Sequence, residues 1–374
     1  MAQPDLFNHD PAQEVPTESI KYIGSKLKII PHIIDMVAPM NVKTVFDGFT
    51  GSTRVAQALA RSGYSVFSCD IAVWSEIFSR CYLGARPGHP YDRLIDELND
   101  VSPIDGWFTY HYGGCPNSPS GDGLKKPWQR KNTRKLDGIR RHIGKLGLEP
   151  HEEAVALTSL IIAMDKVDST IGHFTSYLSE WAPRSYNDVV LSEPRYVFPK
   201  ATCGHKRGDI FDVLEDVENI DLAYLDPPYG SNNEKMPPSR VRYASYYHLW
   251  TTIILNDEPP LFGKALRRTD TRDTVAATVF EEFRKSASGR FMAVEAIEKL
   301  LNRVPARHVL LSYSSGGRAT FDELIEAMKS TGRLINIIGI DYRRNVMSGM
   351  RWTNHWIRAD EGRNTEYLFL LEKL

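Results

Sequence analysis

The stretch KTVFDGFTGSTRVAQALARSGYSVFSCDIA, Lys43 to Ala72, decides the fold. Thr44 to Phe46 reads as a short strand and runs straight into a glycine-bearing turn, Asp47 to Thr53. A helical pattern follows from about Thr53 to Ser62, and Ser65 to Ser68 forms a second strand that ends at Asp70. Strand, turn, helix, strand is a βαβ unit, which implies a right-handed crossover and a parallel sheet. The turn between a first strand and its helix is the usual place for a nucleotide. Gly48 and Gly51 would let backbone N–H groups approach a ligand closely. The turn is not GxGxxG, no GxxxxGK[ST] follows, and Arg54 is the only nearby basic residue, so a phosphate is not its obvious ligand. Asp70 lies 23 residues beyond Asp47, where an acid accepts hydrogen bonds from ribose hydroxyls. These residues point to a nucleoside cofactor, although a Gly-rich turn and a nearby acid also occur in α/β proteins that bind none.

Outward from this unit the alternation stops. Residues 73–200 give helices near 74–84, 133–146 and 151–166 and polar, Gly/Pro-rich loops, among them HYGGCPNSPSGDGLKKP (111–127). The α/β rhythm resumes at KRGDIFDVLEDVENIDLAYLDPPY, with a helical turn near 211–217. Strands are expected at 307–313, 333–342 and 366–371, and helices at 276–303 and 320–330. Upstream, KYIGSKLKIIPHIIDMV is a short loop leading into a helix with Ile29, Ile30, Ile33 and Ile34 on its apolar side. The expected architecture is one discontinuous α/β domain (19–72 and 201–374) with a mainly helical insertion (73–200). Residues 1–18, with four acids, three prolines and no Lys or Arg, read as a disordered lead-in.

The 374 residues are 42% apolar and 25% charged, an ordinary soluble composition. No apolar run approaches the ~20 residues that span a bilayer, and the N-terminus lacks a secretory pattern, so a cytoplasmic protein is expected. Cys69, Cys81, Cys115 and Cys203 are scattered without metal-ligand spacing and read as free thiols, with no metal expected. The net charge of −1 hides a basic district: Lys125 to Lys145 carries nine Lys/Arg against one acid, Asp137.

In IDLAYLDPPYGSNN, Ile220 to Asn233, an apolar run enters Asp226-Pro227-Pro228-Tyr229. Prolines cannot continue a central strand, so an acid and an aromatic are pinned at a strand's C-terminal end. The amine of adenine is a poor nucleophile because its lone pair is delocalised into the ring. Two acceptors aimed at its hydrogens, the Asp226 carboxylate and the Pro227 carbonyl, free that lone pair, and the two prolines limit their wandering. Tyr229 offers a flat face for an extruded base. The matching electrophile is a sulfonium methyl, so S-adenosylmethionine is the expected cofactor. Gly208-Asp209-Ile210, before the same strand, is placed to face an adenine edge.

With these residues the sequence resembles the alpha-group (Dam-like) adenine-specific DNA methyltransferases. Tyr22-Ile23-Gly24-Ser25-Lys26 resembles the family's N-terminal aromatic-x-Gly-x-Lys element, which lines the methyl-donor pocket. Asp47 to Thr53 resembles its Pro-Phe-x-Gly-x-Gly turn, with Gly48 in place of the proline and Thr53 in place of the last glycine. Asp70 matches the ribose acid, Asp209 the acid near the adenine of the cofactor, and Asp226–Tyr229 the catalytic motif. Weaker likeness extends to 243–250, 309–317 and the final TEYLFLLEK. The resemblance implies a Rossmann-like methyltransferase sheet. It implies a cofactor site of Tyr22, Gly24, Lys26, Asp47, Phe49, Thr50, Gly51, Ser52, Asp70, Asp209 and Ile210, and a catalytic Asp226, Pro227, Pro228 and Tyr229. Its substrate is double-stranded DNA, and a restriction endonuclease is the partner found in restriction–modification systems.

In this motif order target recognition falls in the insertion. KKPWQRKNTRK combines Trp128 with Lys125, Lys126, Arg130, Lys131 and Arg134, a composition suited to phosphates and a stacking or packing aromatic, and equally to a solvated face. Asp168, Gly172 and His173 are secondary candidates by likeness to a family loop. Arg343, Arg344 and Arg351 are later candidates for backbone phosphates. Cytosine-N4 methylation, adenine methylation in RNA and a catalytically inactive DNA-binding relative remain as alternatives; a serine in place of Asp226 more often accompanies the first. Protein-glutamine methylation fits less well, since it usually goes with Asn at that position.

Overall fold

A computed structural model describes residues 15–115, 125–230, 243–272, 275–276, 278–342 and 364–374. Seven strands make the central sheet: β1 (Thr44–Asp47), β2 (Ser65–Asp70), β3 (Gly204–Arg207), β4 (Ile220–Leu225), β5 (Ala306–Ser314), β6 (Gly332–Tyr342) and β7 (Asn364–Lys373). They lie in the order β3-β2-β1-β4-β5-β7-β6. The first five pair in parallel, and β7 runs antiparallel to both its neighbours. The βαβ unit read from Lys43–Ala72 is the middle of this sheet: Phe46 pairs with Phe67 on one side and Ala223 on the other.

Alternation along the strands sorts their side chains into two cores. Val45, Leu222, Leu310 and Leu368 face one side; Phe46, Ala223, Leu311 and Phe369 face the other. A strand buried on both faces reads as a continuous apolar run, as β4 does. The first core is covered by α1 (Ile30–Val37), α2 (Arg54–Arg61), α3 (Val73–Gly84) and the helices that follow: α4 (Tyr91–Asp100), α5 (Trp107–Tyr112), α6 (Arg130–Leu146) and α7 (Pro150–Lys166). The second is covered by α8 (Ile210–Val213) and by two later helices, 292–303 and 321–331. Between them in the chain come α9 (Tyr243–Tyr246) and α10 (His248–Leu255); the two later helices are α11 (Met292–Arg303) and α12 (Phe321–Thr331). Residue 73 marks no break in packing, because Trp74, Phe78, Leu157 and Leu160 share one cluster with Val45 and Val66.

Local chemistry sets the helix ends. α7 starts on Pro150 with a reciprocal Glu149–Glu152 capping box, and α12 on a Thr320–Glu323 box. Two expectations need correction. The helix expected over 276–303 begins only at Met292. Ahead of it Gly289 sits at φ +82° in a turn closed by Ser286 N–H donating to the Arg290 carbonyl, 2.9 Å, and the Ser286 and Ser288 hydroxyls turn to Glu295. A Ser/Gly-rich run makes a turn there rather than a helical one. Residues 15–18, counted with the lead-in, are packed: Arg54 donates to the Thr17 carbonyl at 2.9 Å and Gln57 to the Glu18 carbonyl at 2.8 Å.

Candidate active site

Every parallel strand delivers its C-terminal end to one edge of the sheet, and the titratable side chains gather there. The turn after β1 is tied to both neighbouring strands. Gly48 N–H donates to the Tyr224 carbonyl at 3.0 Å and Thr50 N–H to the Cys69 carbonyl at 2.9 Å. A Cβ on Gly48 would stand 2.9 Å from the Leu225 Cδ2 and 3.1 Å from the Ile210 Cδ1, so a side chain there would make those two methyl groups give way. Thr53, where the resembled motif has glycine, keeps the glycine conformation at φ +64°. Such a backbone costs a threonine about 1–2 kcal/mol. Its hydroxyl offsets part of this by donating to the Ser52 carbonyl and accepting from Gln57 at 2.9 Å.

A cavity of about 790 Å³ opens over this edge. Tyr22, Gly24, Lys26, Asp47, Phe49, Thr50, Gly51, Ser52, Asp70, Asp209, Ile210, Asp226 and Pro228 all border it. Asp70 accepts Gly51 N–H at 2.7 Å on one oxygen and Ala72 N–H at 2.8 Å on the other. Each oxygen keeps a second lone pair for a ligand hydroxyl. Burial raises the Asp70 pKa, and the two amides oppose that rise. Asp47 is different: it is 1% exposed and neither oxygen meets a donor at hydrogen-bonding geometry. Burial lifts its pKa well above the usual range, and Asp226 and Asp70 add to this, against weak help from the Phe49 and Ala56 amides. An acid buried without a hydrogen-bond donor at the border of a cavity calls for a partner from that cavity. Asp209 caps α8 by accepting Phe211 N–H at 2.9 Å, and Ile71 and Ile210 supply apolar walls.

At the head of the cavity stands a polar cluster. Lys26 Nζ lies 3.0 Å from Asp226 Oδ1 and 2.9 Å from Glu366 Oε1. The Tyr229 hydroxyl shares its single hydrogen between Asp226 and Glu366 (2.5 Å) and accepts from Lys26 at 2.5 Å. Ser312 Oγ donates to Glu366 at 2.7 Å. Burial opposes the Lys26 charge, but Asp226 and Glu366 outweigh it and hold its pKa above that of an ordinary lysine. Asp226 is pushed up to about 6, first by burial and then by Glu366, with Lys26 and the Tyr229 hydroxyl pulling down.

Two expected catalytic residues do not border the cavity. Pro227 is buried, and Tyr229 packs its ring 4.7 Å from that of Tyr313 with Lys26 Nζ 4.7 Å from its centroid. The Tyr229 carbonyl accepts Arg318 N–H at 2.7 Å and the Tyr313 hydroxyl at 3.1 Å, which anchors the end of the motif.

The basic district is largely engaged within the chain. Arg130 and Arg134 pair with Asp105 at 2.8 and 3.3 Å, Lys131 with Asp188 at 2.5 Å. Lys135 caps the carbonyls of Asn99 and Val101, and buried Arg140 those of Ile253 and Ile254. Lys125 N–H donates to the Leu178 carbonyl, and Lys126 lies over the Tyr177 ring. Trp128 is a packing residue: it is fully buried and its Nε1–H donates to the Met164 carbonyl at 2.9 Å. Arg343, Arg344 and Arg351 lie outside the described residues. Asp168 is buried between Lys21 and Arg184, and His173 stacks on Tyr246, its pKa lowered to about 4 by burial, so it is neutral. Neither they nor Gly172 border the cavity. Sequence reading missed Glu366, Ser312, Phe280, which borders the cavity edge-on to Phe49 at 5.3 Å, and the Tyr243–Tyr247 pair that stacks on Tyr22. Only the stretches 243–250, 309–317 and TEYLFLLEK hinted at some of these.

A family model described as D12 class N6 adenine-specific DNA methyltransferase matches residues 22–300. The chain belongs to that family. The matched D12 methyltransferase segment takes in Tyr22 through Ile210 and Asp226–Tyr229 and ends before Ser312 and Glu366. Modification methylase StsI of Streptococcus sanguinis is 26% identical over 353 residues, covering 87% of this chain and 48% of that protein. Modification methylase LlaI of Lactococcus lactis subsp. lactis is 25% identical over 82% of this chain and 48% of its own length. Type II methyltransferase M.FokI of Planomicrobium okeanokoites is 25% identical over 95% of this chain and 53% of its length. The D12 methyltransferase chain thus spans about half the length of these relatives.

Proposed function

We propose that this chain methylates N6 of adenine at a specific short site in double-stranded DNA, as the modification enzyme of a bacterial or phage restriction–modification system. The observation that carries this reading is the Asp226 carboxylate at the head of a cavity whose far walls are the unpartnered Asp47 and the twin-acceptor Asp70. These residues fit S-adenosylmethionine: Asp47 suits its ammonium group, Asp70 the ribose hydroxyls, and Asp209 with Ile71 and Ile210 the adenine. When bound, the cofactor supplies an electrophilic methyl group. The chain's own part is positional. Asp226, with the Pro227 carbonyl, accepts the amine hydrogens and turns the lone pair toward the methyl donor, and the Tyr229 hydroxyl holds the Asp226 carboxylate in place. Arg130, Lys131, Arg134, Lys125 and Lys126 contact the DNA backbone in this reading, exchanging partners such as Asp105 for phosphates. Such surface pairs are worth only about 0–1 kcal/mol each, so the exchange is cheap.

Modification-sensitive sequencing of DNA from cells expressing the chain tests the reading. N6-methyladenine at one short sequence supports it; unmodified DNA, or N4-methylcytosine, contradicts it.

Two further outcomes are expected. Asp47→Asn removes a buried carboxyl whose ionisation burial opposes, so it raises the melting temperature of the free protein. It also weakens S-adenosylmethionine binding by roughly 10-fold or more, the worth of one charge-assisted contact. Calorimetric titration and thermal unfolding read the two signs separately. The rate of methyl transfer falls as pH drops through about 6, because Asp226 accepts the amine hydrogens only when ionised. A pH profile of single-turnover rate shows this limb.

A further inference from the structure

Glu366 lies on β7, 340 residues from Lys26, and its partners come from three other segments. Its carboxylate accepts from Lys26 Nζ at 2.9 Å, from the Tyr229 hydroxyl at 2.5 Å and from Ser312 Oγ at 2.7 Å. It is 6% exposed. Because β7 is antiparallel, the beginning of that strand stands at the edge where the parallel strands end, beside Ser312 of β5. A buried acid placed there with three donors is built into the site rather than left on a surface.

We propose that Glu366 is a positioning residue for methyl transfer, holding the Lys26 ammonium and the Tyr229 hydroxyl so that the Asp226 carboxylate stays fixed and available to the amine. The proposal rests on the reading of Asp226 as the amine acceptor. Both groups that lie on Asp226 Oδ1 also reach Glu366, Lys26 through separate ammonium hydrogens and Tyr229 through its one shared hydroxyl hydrogen. Glu366 therefore sets where they sit and draws part of the ammonium's charge away from Asp226. Without it, Lys26 would rest on Asp226 alone and compete with the amine for its lone pairs.

The other ionisable groups around Asp226 do not replace Glu366. Tyr224 of β4, Asp47 of β1 and Tyr22 of the N-terminal loop stand in the same field, and Lys26 is the cation among them. Removing the Glu366 charge both ends its repulsion of Asp226 and strengthens the hold of Lys26. Each change favours ionised Asp226, so the acidic limb of the rate moves to lower pH while the ionised acid becomes a poorer acceptor.

The test compares the wild-type chain with Glu366→Gln, which keeps the volume and an acceptor, and with Ser312→Ala, which removes one supporting donor. Methyl transfer to adenine in DNA is followed over pH 4.5–8, roughly the range that brackets the limb. For Glu366→Gln the turnover number should fall roughly 10- to 100-fold, with KM for cofactor and DNA within about threefold of wild type. Its acidic limb should move down by about half a pH unit or more. Ser312→Ala should lower turnover less and leave the limb nearly in place. Wild-type turnover in Glu366→Gln, or reduced turnover with an unmoved limb, overturns the proposal and leaves Asp226's role standing. A wild-type chain that methylates no adenine overturns that role and the proposal together.

Discussion

Replacing Asp226 with alanine should lower the turnover number for adenine methylation by roughly 10²–10³-fold, the cost of removing one preorganised electrostatic contact to the reacting group. Affinity for S-adenosylmethionine should change little, since Asp47 and Asp70 hold the far parts of the cavity. The variant should also fold. Lys26 keeps Glu366 at 2.9 Å as its counter-ion, and the Tyr229 hydroxyl keeps Glu366 at 2.5 Å, so the cluster loses one acid without stranding a buried cation. Single-turnover methylation with labelled cofactor, beside calorimetric cofactor titration, separates the two quantities. Near-wild-type turnover would remove Asp226 from the chemistry; loss of cofactor binding alone would make it a pocket residue.

The second large effect concerns stability. Trp128→Ala should destabilise the fold by about 3–5 kcal/mol, as truncation of a buried tryptophan does. Its ring is packed against Phe174 and Trp250 at centroid distances of 5.3 and 5.9 Å, and its Nε1–H satisfies the carbonyl of Met164 near the end of α7. Its neighbours in sequence behave otherwise. Arg130→Ala and Lys131→Ala break only exposed pairs with Asp105 and Asp188 and should cost less than about 1 kcal/mol. Denaturant unfolding of the three variants distinguishes the residues. A stable Trp128→Ala protein with impaired DNA affinity would instead place the indole at the DNA.

Trp128 also shows where sequence reading stops. Charge and composition drew attention to Lys125–Lys135, but the acids that neutralise it, Asp105 and Asp188, come from distant loops, and pairing across such distances leaves no local pattern. The central sheet was legible because its periodicity is local: β1, β2, β4, β5, β6 and β7 fall within a few residues of the expected strands. The cavity residues were legible because fixed backbone needs select them, as with Gly51, whose backbone sits at φ +48°, and Asp70, which takes two backbone amides. Thr53 shows that such a need is conformational rather than a matter of identity, since it holds a left-handed backbone with a β-branched side chain. The helix expected across 276–291 failed because its apolar residues have helical spacing while Ser286, Ser288 and Gly289 make a turn. Glu366 was out of reach for another reason. It meets Lys26 only after β7 inserts antiparallel between β5 and β6.

The most direct test of the account is to incubate the purified 374-residue chain with duplex DNA and isotopically labelled S-adenosylmethionine, digest the DNA, and resolve its nucleosides by mass. The account predicts label in N6-methyldeoxyadenosine, in wild type and not in Asp226→Ala. Label in N4-methyldeoxycytidine, or methylation of RNA alone, would contradict it.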